Sequence, residues 1–256
     1  MLSYDAFTRA MDAIDLSVVI PAFNESGRLL DTLQRCRDWL HSSVPSWEII
    51  VVDDGSADET RAIASDLAAR EPRIRLIAAS HSGKGAAVRR GMLAARGRWC
   101  LFADADLSMD LNQLPRFFAS DGDVIIASRE AAGAVRVGEP WLRHVAGRAF
   151  NLLVRLAAVP GVHDTQCGYK MFSADAVRQL FPVTRQNGFA FDVELLFLAR
   201  RAGLRIREVP ITWTYRPGSR VRLRTGVAAF GQILAIRWNG LLGRYGAPAR
   251  RVHQAT

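Results

Sequence analysis

Five short apolar runs, each closed by turn-forming residues, punctuate the first half of the chain: Leu16–Pro21 (LSVVIP), Trp47–Asp53 (WEIIVVD), Ile74–Ala78 (IRLIA), Arg98–Ala103 (RWCLFA) and Asp123–Ala127 (DVIIA). Runs of this length, apolar almost throughout, read as strands buried on both faces. Between them, at about 25–41, 58–70, 84–96 and 111–119, apolar residues recur at helical spacing. This alternation predicts an α/β fold, a mostly parallel sheet flanked by helices. Such sheets take their ligands beyond the carboxyl ends of the strands, so the residues that follow each run are the ones to inspect.

After about residue 130 the alternation loosens. The pattern predicts a long amphipathic segment over 139–159, a short strand near 167–172, a helix near 192–202 and paired strands around 204–216. No low-complexity linker or internal repeat divides these 256 residues, so the two halves are expected to share one folded unit. A basic C-terminal extension over 223–256 follows a main domain of 1–222.

The first strand ends in Pro21-Ala22-Phe23-Asn24-Glu25 and the second in Asp53-Asp54-Gly55-Ser56, with Asp58 and Thr60 beyond. Carboxylates at a strand end can accept hydrogen bonds from a base or a ribose, although the second cluster also fits a turn before a capped helix. The fourth strand ends in Asp104-Ala105-Asp106. Two carboxylates so close together repel unless a cation or hydrogen bonds offset them. Mg²⁺ or Mn²⁺, commonly held by one or two carboxylates plus substrate phosphates, would do so, whereas an isolated DxD also fits a solvated turn. His81-Ser82-Gly83-Lys84-Gly85 precedes a helix, so Lys84 and nearby N–H groups could face an anion. Neither GxxxxGK[ST] nor a GxGxxG after the first strand is present, which weakens the P-loop and dinucleotide readings.

The net charge of +9 is concentrated at one end, since residues 200–256 hold twelve Arg and a single acidic residue, Glu208. Anionic lipid, a phosphorylated substrate or nucleic acid would all suit such an end, as would a plain soluble surface. Interleaved base-stacking aromatics are not evident, which disfavours nucleic acid. Cys36, Cys100 and Cys167 are too scattered for a disulfide framework. Residues 1–15 carry Asp5, Asp12 and Asp15 against the single Arg9 and lack the apolar run of a signal peptide, so a cytoplasmic location is expected.

The ordered motifs VVIPAFNE, VVDDGSADET, GKGAAVRRGM and ADADLS, over about residues 16–220, resemble family 2 glycosyltransferases of the dolichyl-phosphate sugar synthase kind. The segments Asp164–Lys170 (DTQCGYK) and Phe189–Glu194 (FAFDVE) are similar to those of the dolichyl-phosphate glucosyltransferase branch. The resemblance implies a GT-A fold and an inverting transfer of a hexose from a nucleotide-sugar to a polyprenyl or dolichyl phosphate, UDP-glucose ahead of GDP-mannose. It places Pro21, Phe23, Glu25, Asp53, Asp54 and Lys84 in the donor pocket, Asp104 at the nucleoside or metal, and Asp106 on the metal. Mannosyl relatives often carry a Gln ligand where this chain has Ser108, a coordination place that water would have to fill.

A phosphate monoester is largely ionised near neutrality, its second pKa being about 6, so it can attack without a general base. It needs cations, and the basic positions matching the family are Arg129, Arg143 and Arg220, with Arg216 a possible substitute. Some relatives carry Arg where this chain has Thr214, and Ser where it has Gly147. Asp192 would orient the acceptor, act as base for a hydroxyl acceptor, or cap the helix that follows. From Val227, the residues Phe230, Leu234, Trp238, Leu241 and Tyr245 recur at helical spacing with Arg237 and Arg244 among them, too short and charged to span a bilayer. Such a helix fits the lipid interface or the core, and Trp141–Val159 shares the ambiguity; for the basic C-terminal helix the interface is the preferred reading, which would set the protein peripherally on the cytoplasmic face of a membrane. Two other readings stand beside this one: a transferase for a soluble or polysaccharide acceptor, which the spacing of Gln232 from Arg237-Trp238 does not fit as QxxRW, and a non-catalytic membrane-binding protein.

Overall fold

The structure, a computed structural model, describes residues 14–215 and 223–246. In chain order these form β1 (Leu16–Ala22), α1 (Ser26–Ser43), β2 (Trp47–Asp54), α2 (Thr60–Arg70), β3 (Ile74–Ala79), α3 (Lys84–Ala94), β4 (Trp99–Ala103), α4 (Pro115–Phe118), β5 (Val124–Ser128), β6 (Val135–Val137), α5 (Trp141–Ala157), β7 (Tyr169–Ser173), α6 (Ala174–Leu180), α7 (Phe191–Arg201), β8 (Ile206–Pro210), β9 (Thr212–Thr214) and α8 (Leu223–Leu241). The main sheet has the order β3-β2-β1-β4-β7-β5-β8. Its ladders are parallel except where β7 runs antiparallel between β4 and β5.

The apolar strands β1, β2, β4 and β5 are buried on both faces, as their composition requires, whereas β3, at the edge of the sheet, is buried only at Ile74 and departs from that expectation. Val18 and Ile20 of β1, with Ile49 and Val51 of β2, pack against Leu29, Leu33 and Cys36 of α1. The alternate residues Val19, Ile50 and Val52 meet Val88 and Met92 of α3 on the other face. Each fully buried Val, Leu or Ile contributes about 1.5–3 kcal/mol by leaving water, so shifting any strand by one register step would be costly. Ile233 and Ile236 of α8, and Tyr245 just beyond it, join this second core.

Three details depart from the expected pattern. The stretch 111–119 is not one helix: a 3-10 turn at Leu111–Gln113, capped by Asp110 accepting from Asn112 N, gives way to the short α4. Pro115, which has no N–H to give, sits where the second helix starts. The strands around 204–216 do not pair with each other. Only Ile211 separates them, too little for a hairpin, so β8 lies parallel on β5 while β9 lies parallel on β6 in a separate small sheet. Helix α6, unforeseen, is opened by Ser173, whose side chain accepts from Ala176 N at 3.2 Å. The expected boundary at 222, together with Arg216 and Arg220, lies outside the described residues.

Candidate active site

The carboxyl ends of β1, β2 and β4 converge, and their loops are bolted together before any ligand is considered. Asn24, at φ +51°, donates its N–H to Ser56 Oγ and accepts Ala57 N–H on Oδ1. Glu25 N donates to Thr60 Oγ1 at 2.7 Å, and Ser26 N to Asp58 Oδ2 at 3.2 Å. Burial nudges the Asp58 carboxyl up, but the hydrogen bonds from Thr60 and Ser26 outweigh it and hold the group well below the usual range.

Within this frame the acidic residues look inward. Asp53 accepts Ser56 N at 3.1 Å and Arg61 Nε at 2.8 Å. Both oxygens of Asp54 are taken, Oδ1 by Ser82 N and Oδ2 by Gly83 N, each at 2.9 Å, with His81 Nδ1 also 2.9 Å from Oδ2. Asp54 therefore shapes the 81–84 loop. His81 stacks on Phe23 at 4.2 Å between ring centroids. Beside them a cleft of about 490 Å³ is lined by Gly55, Ser56, Arg61, Ala78, Ser80 and His81. Pro21 lies opposite Val52 in the β1–β2 ladder, and Glu25 pairs with Arg28 Nε at 2.9 Å.

The expectation that N–H groups around Lys84 face an anion is corrected. Ser82 N and Gly83 N point at Asp54, while Gly85 N and Ala86 N donate to Asn187 O at 2.7 and 3.3 Å. Those four donors are spent on the protein itself, which leaves the ammonium of Lys84 as the loop's cationic group. Gly83 makes the packing possible: at φ +102°, a Cβ there would stand 2.5 Å from Asn187 O. Lys84 Nζ lies 2.6 Å from Asp104 Oδ1. Burial works against its charge, but Asp104, Asp192 and Asp106 together overcome that and raise its pKa.

Asp104 and Asp106 occupy a tight turn after β4 in which Leu107 adopts φ +43°. Thr32 Oγ1 of α1 donates to Ala105 O at 2.7 Å and pins the turn. Ser108 braces Asp106: its N and Oγ donate to Asp106 Oδ1 at 3.0 and 2.5 Å. Among the described residues no donor reaches Asp106 Oδ2, and no group of three or more His, Cys, Asp or Glu gathers to cage an ion. Two hard oxygen donors at a strand end, one held rigid with an oxygen to spare, fit a divalent cation completed by substrate phosphates and water.

Two buried ion pairs flank this turn. Lys170, on β7 and fully buried, donates to Asp192 Oδ1 at 2.5 Å and to Cys167 O at 2.6 Å. Asp192 is not a helix cap: it is the second residue of α7, whose N-cap is Ala190. Burial pushes its carboxyl up, opposed by Lys170 and Lys84. Arg129 gives Nε and Nη2 to the two oxygens of Asp164 at 2.7 and 2.9 Å, and its own N–H to Oδ2. Its guanidinium is thus largely committed within the fold. Arg143 falls on α5, its side chain outside the described atoms, and Arg220 lies outside the described residues altogether. The structure brings Lys84, Asp104, Asp106 and Asp192 into one electrostatic neighbourhood, with Lys170 as the member the sequence assigned no role. A lone Lys inside the apolar run Tyr169–Phe172 was the signal, since a buried cation needs a partner.

Residues 17–181 match the sequence family described as Glycosyl transferase family 2. The chain is 33% identical over 251 residues to a dolichyl-phosphate beta-glucosyltransferase of Dictyostelium discoideum, covering 91% of this chain and 77% of that protein. It is 35% identical over 244 residues to one of Drosophila melanogaster, covering 88% and 75%. In three dimensions it is similar to glucosyl-3-phosphoglycerate synthase from Mycobacterium tuberculosis, crystallised with Mn²⁺, uridine diphosphate and phosphoglyceric acid. That likeness has a TM-score of 0.65 at 22% identity, with 97% of this chain and 84% of the other covered.

Proposed function

The chain belongs to glycosyl transferase family 2, and on that premise we propose that it moves glucose from UDP-glucose to a dolichyl or other polyprenyl phosphate with inversion at the anomeric carbon. The observation that carries this reading is the grouping of Lys84, Asp104 and Asp106 at the end of β4, one ammonium beside two carboxylates, a set of charges that suits a diphosphate together with a divalent cation. An oxygen of the acceptor phosphate attacks the anomeric carbon, the bond from that carbon to the diphosphate breaks, and UDP departs with the electron pair. A divalent cation, Mn²⁺ or Mg²⁺, when bound supplies positive charge toward the leaving diphosphate. Lys84 would add its ammonium to the same developing charge, oriented by Asp104. The base and ribose are assigned to the cleft beside Phe23 and His81, with Asp53, Asp54 and Glu25 fixing its walls. Asp192 orients the acceptor, and Arg143 and Arg220, with the remaining N–H capacity of Arg129, hold its phosphate. GDP-mannose is the second donor reading.

A lipid acceptor places the site near a bilayer. Among the described residues no helix is long and apolar enough to cross one. Yet Trp141 of α5, 71% exposed, Trp238 of α8, 61%, and neighbouring Leu241, 75%, present apolar side chains outward. Interfacial Trp with Arg237 and Arg148 nearby suits a peripheral contact with the face that carries anionic headgroups, taken here as cytoplasmic. The test is to incubate the protein with polyprenyl phosphate in vesicles, Mn²⁺ or Mg²⁺, and a panel of UDP- and GDP-sugars. A sugar-labelled lipid from UDP-glucose that disappears with Asp106→Ala, folding intact by circular dichroism, is the expected result. Turnover unaffected by Asp106→Ala would reject the cation's place here.

A further inference from the structure

The strap Thr184–Asn187, which precedes α7, lies along α3 and is fastened to it at both ends. Arg89 Nη1 donates to Thr184 O at 2.9 Å, and Asn187 O accepts from Gly85 and Ala86, the residues that follow Lys84. On its other side the strap is held by a single carboxylate. Glu194, fully buried on α7, accepts Arg185 N and Gln186 N on Oε2 at 2.9 and 2.8 Å. Its second oxygen, Oε1, accepts the hydroxyl of Tyr245 at 2.8 Å. Tyr245 is itself buried beyond the end of α8, its ring 6.3 Å from that of Phe197, and Arg185 Nη2 reaches Arg244 O at 2.7 Å. A continuous chain of hydrogen bonds therefore runs from the C-terminal segment through Glu194 and the strap to the backbone beside Lys84.

We propose that Glu194 and Tyr245 are positioning residues for the donor: they fix the strap, and the strap fixes the loop that presents Lys84 to the diphosphate. This deepens the function proposed above and rests on its placement of the donor at Lys84. Neither side chain touches the donor. Because Gly85 and Ala86 have spent their N–H groups on Asn187 O, the loop's conformation depends on that carbonyl staying in place. The carbonyl in turn depends on the neighbouring N–H groups that Glu194 holds. The segment leading out of α8, the helix whose outer face carries Trp238, is thereby part of the donor site's support.

The experiment uses the full chain as wild type, Tyr245→Phe, Glu194→Ala and Glu194→Gln. Glutamine can still accept the two backbone N–H groups on its oxygen and donate its amide to the Tyr245 hydroxyl, so it is the rescue variant. Hydrogen exchange of the Gly85 and Ala86 amides is expected to accelerate about tenfold in Tyr245→Phe and more in Glu194→Ala, as for losing one hydrogen bond to a charged group. Amides of β1 and β4 should be unchanged, and Glu194→Gln should stay near wild type. With UDP-glucose as donor, KM is expected to rise about threefold to tenfold in Tyr245→Phe while kcat and the KM for polyprenyl phosphate stay within about twofold. Exchange at Gly85 and Ala86 unaltered in Tyr245→Phe overturns the proposal, and that variant decides if Glu194→Ala fails to fold. Should the wild type transfer no sugar at all, the donor assignment falls, while the exchange data still decide whether Tyr245 and Glu194 hold this loop.

Discussion

Lys84 Nζ stands 2.6 Å from Asp104 Oδ1, joining the first turn of α3 to the end of β4. The contact sets one cation against a carboxylate that would otherwise repel Asp106, and it is this ammonium that the proposed reaction turns to the diphosphate. Replacing Lys84 by Met removes the charge but keeps the length of the side chain. Transfer should fall about 10²–10³-fold, the loss typical of a preorganised donor at developing negative charge. Steady-state rates over a range of UDP-glucose, with circular dichroism as the folding control, measure it, and a loss below threefold would remove Lys84 from the reaction.

Gly168 offers a second probe of the same carboxylate. A Cβ at this position would lie 1.9 Å from Asp104 Oδ2, while Gly168 O accepts Asp104 N at 3.2 Å. Even alanine must therefore displace the Asp104 side chain or part β7 from β4. Gly168→Ala is expected to raise the Mn²⁺ concentration needed for half-maximal transfer and to lower the rate by about tenfold or more, consistent with ångström-scale misplacement of a positioning group. An unchanged manganese titration would show that Asp104 moves without consequence.

The frame of the site was legible because it follows from local pattern. Apolar runs such as WEIIVVD, bounded by turn residues and rich in β-branched side chains, read as strands, and the acidic residues at their ends then lie on the sheet's binding edge. What could not be read was how each polar group spends its hydrogen bonds. The oxygens of Asp54, which the resemblance sets in the donor pocket, also hold Ser82 and Gly83, partners brought near only by the β2–β3 pairing. The N–H groups of Gly85 and Ala86 looked available from sequence because their acceptor, Asn187, lies about a hundred residues away. The identity of a long-range partner carries no local signature: Lys170 in its apolar run signals that a counter-charge is needed but not that it is Asp192, and Arg129 does not point to Asp164.

The Arg129–Asp164 pair makes a pH-dependent contribution to stability. Burial alone would raise the Asp164 pKa, but Arg129 outweighs it and lowers the value to about 2. A carboxyl depressed in the folded state favours folding above its unfolded pKa of about 3.9 and loses that contribution as pH falls through the folded value. The window is thus pH 4 to 2, and the contribution is about 2–3 kcal/mol from the size of the shift. Asp164→Asn should flatten this part of the stability profile in urea titrations. It should also cost about 3–5 kcal/mol near neutrality, because Arg129 would be left buried without its counter-charge. A variant whose acid limb overlays the wild type would contradict this.

Lys170 and Asp192 pose a sharper question, since a buried pair can serve the fold, the reaction or both. Lys170→Met leaves Asp192 buried without its closest cation, and Asp192→Asn leaves Lys170 charged with only neutral acceptors, Cys167 O and the new amide oxygen. Each single change is expected to destabilise by about 3–5 kcal/mol. The double variant Lys170→Met/Asp192→Asn removes both charges together, so its stability should recover to within about 1–2 kcal/mol of wild type. Transfer should not recover with it. The field of Asp192 reaches Lys84 and Asp104, and a neutral amide cannot replace the carboxylate that the proposed reaction uses to orient the acceptor. Urea denaturation and transfer rates on the same four proteins separate the two roles, and a stable double variant that transfers sugar at the wild-type rate would reduce Asp192 to a counter-ion for Lys170.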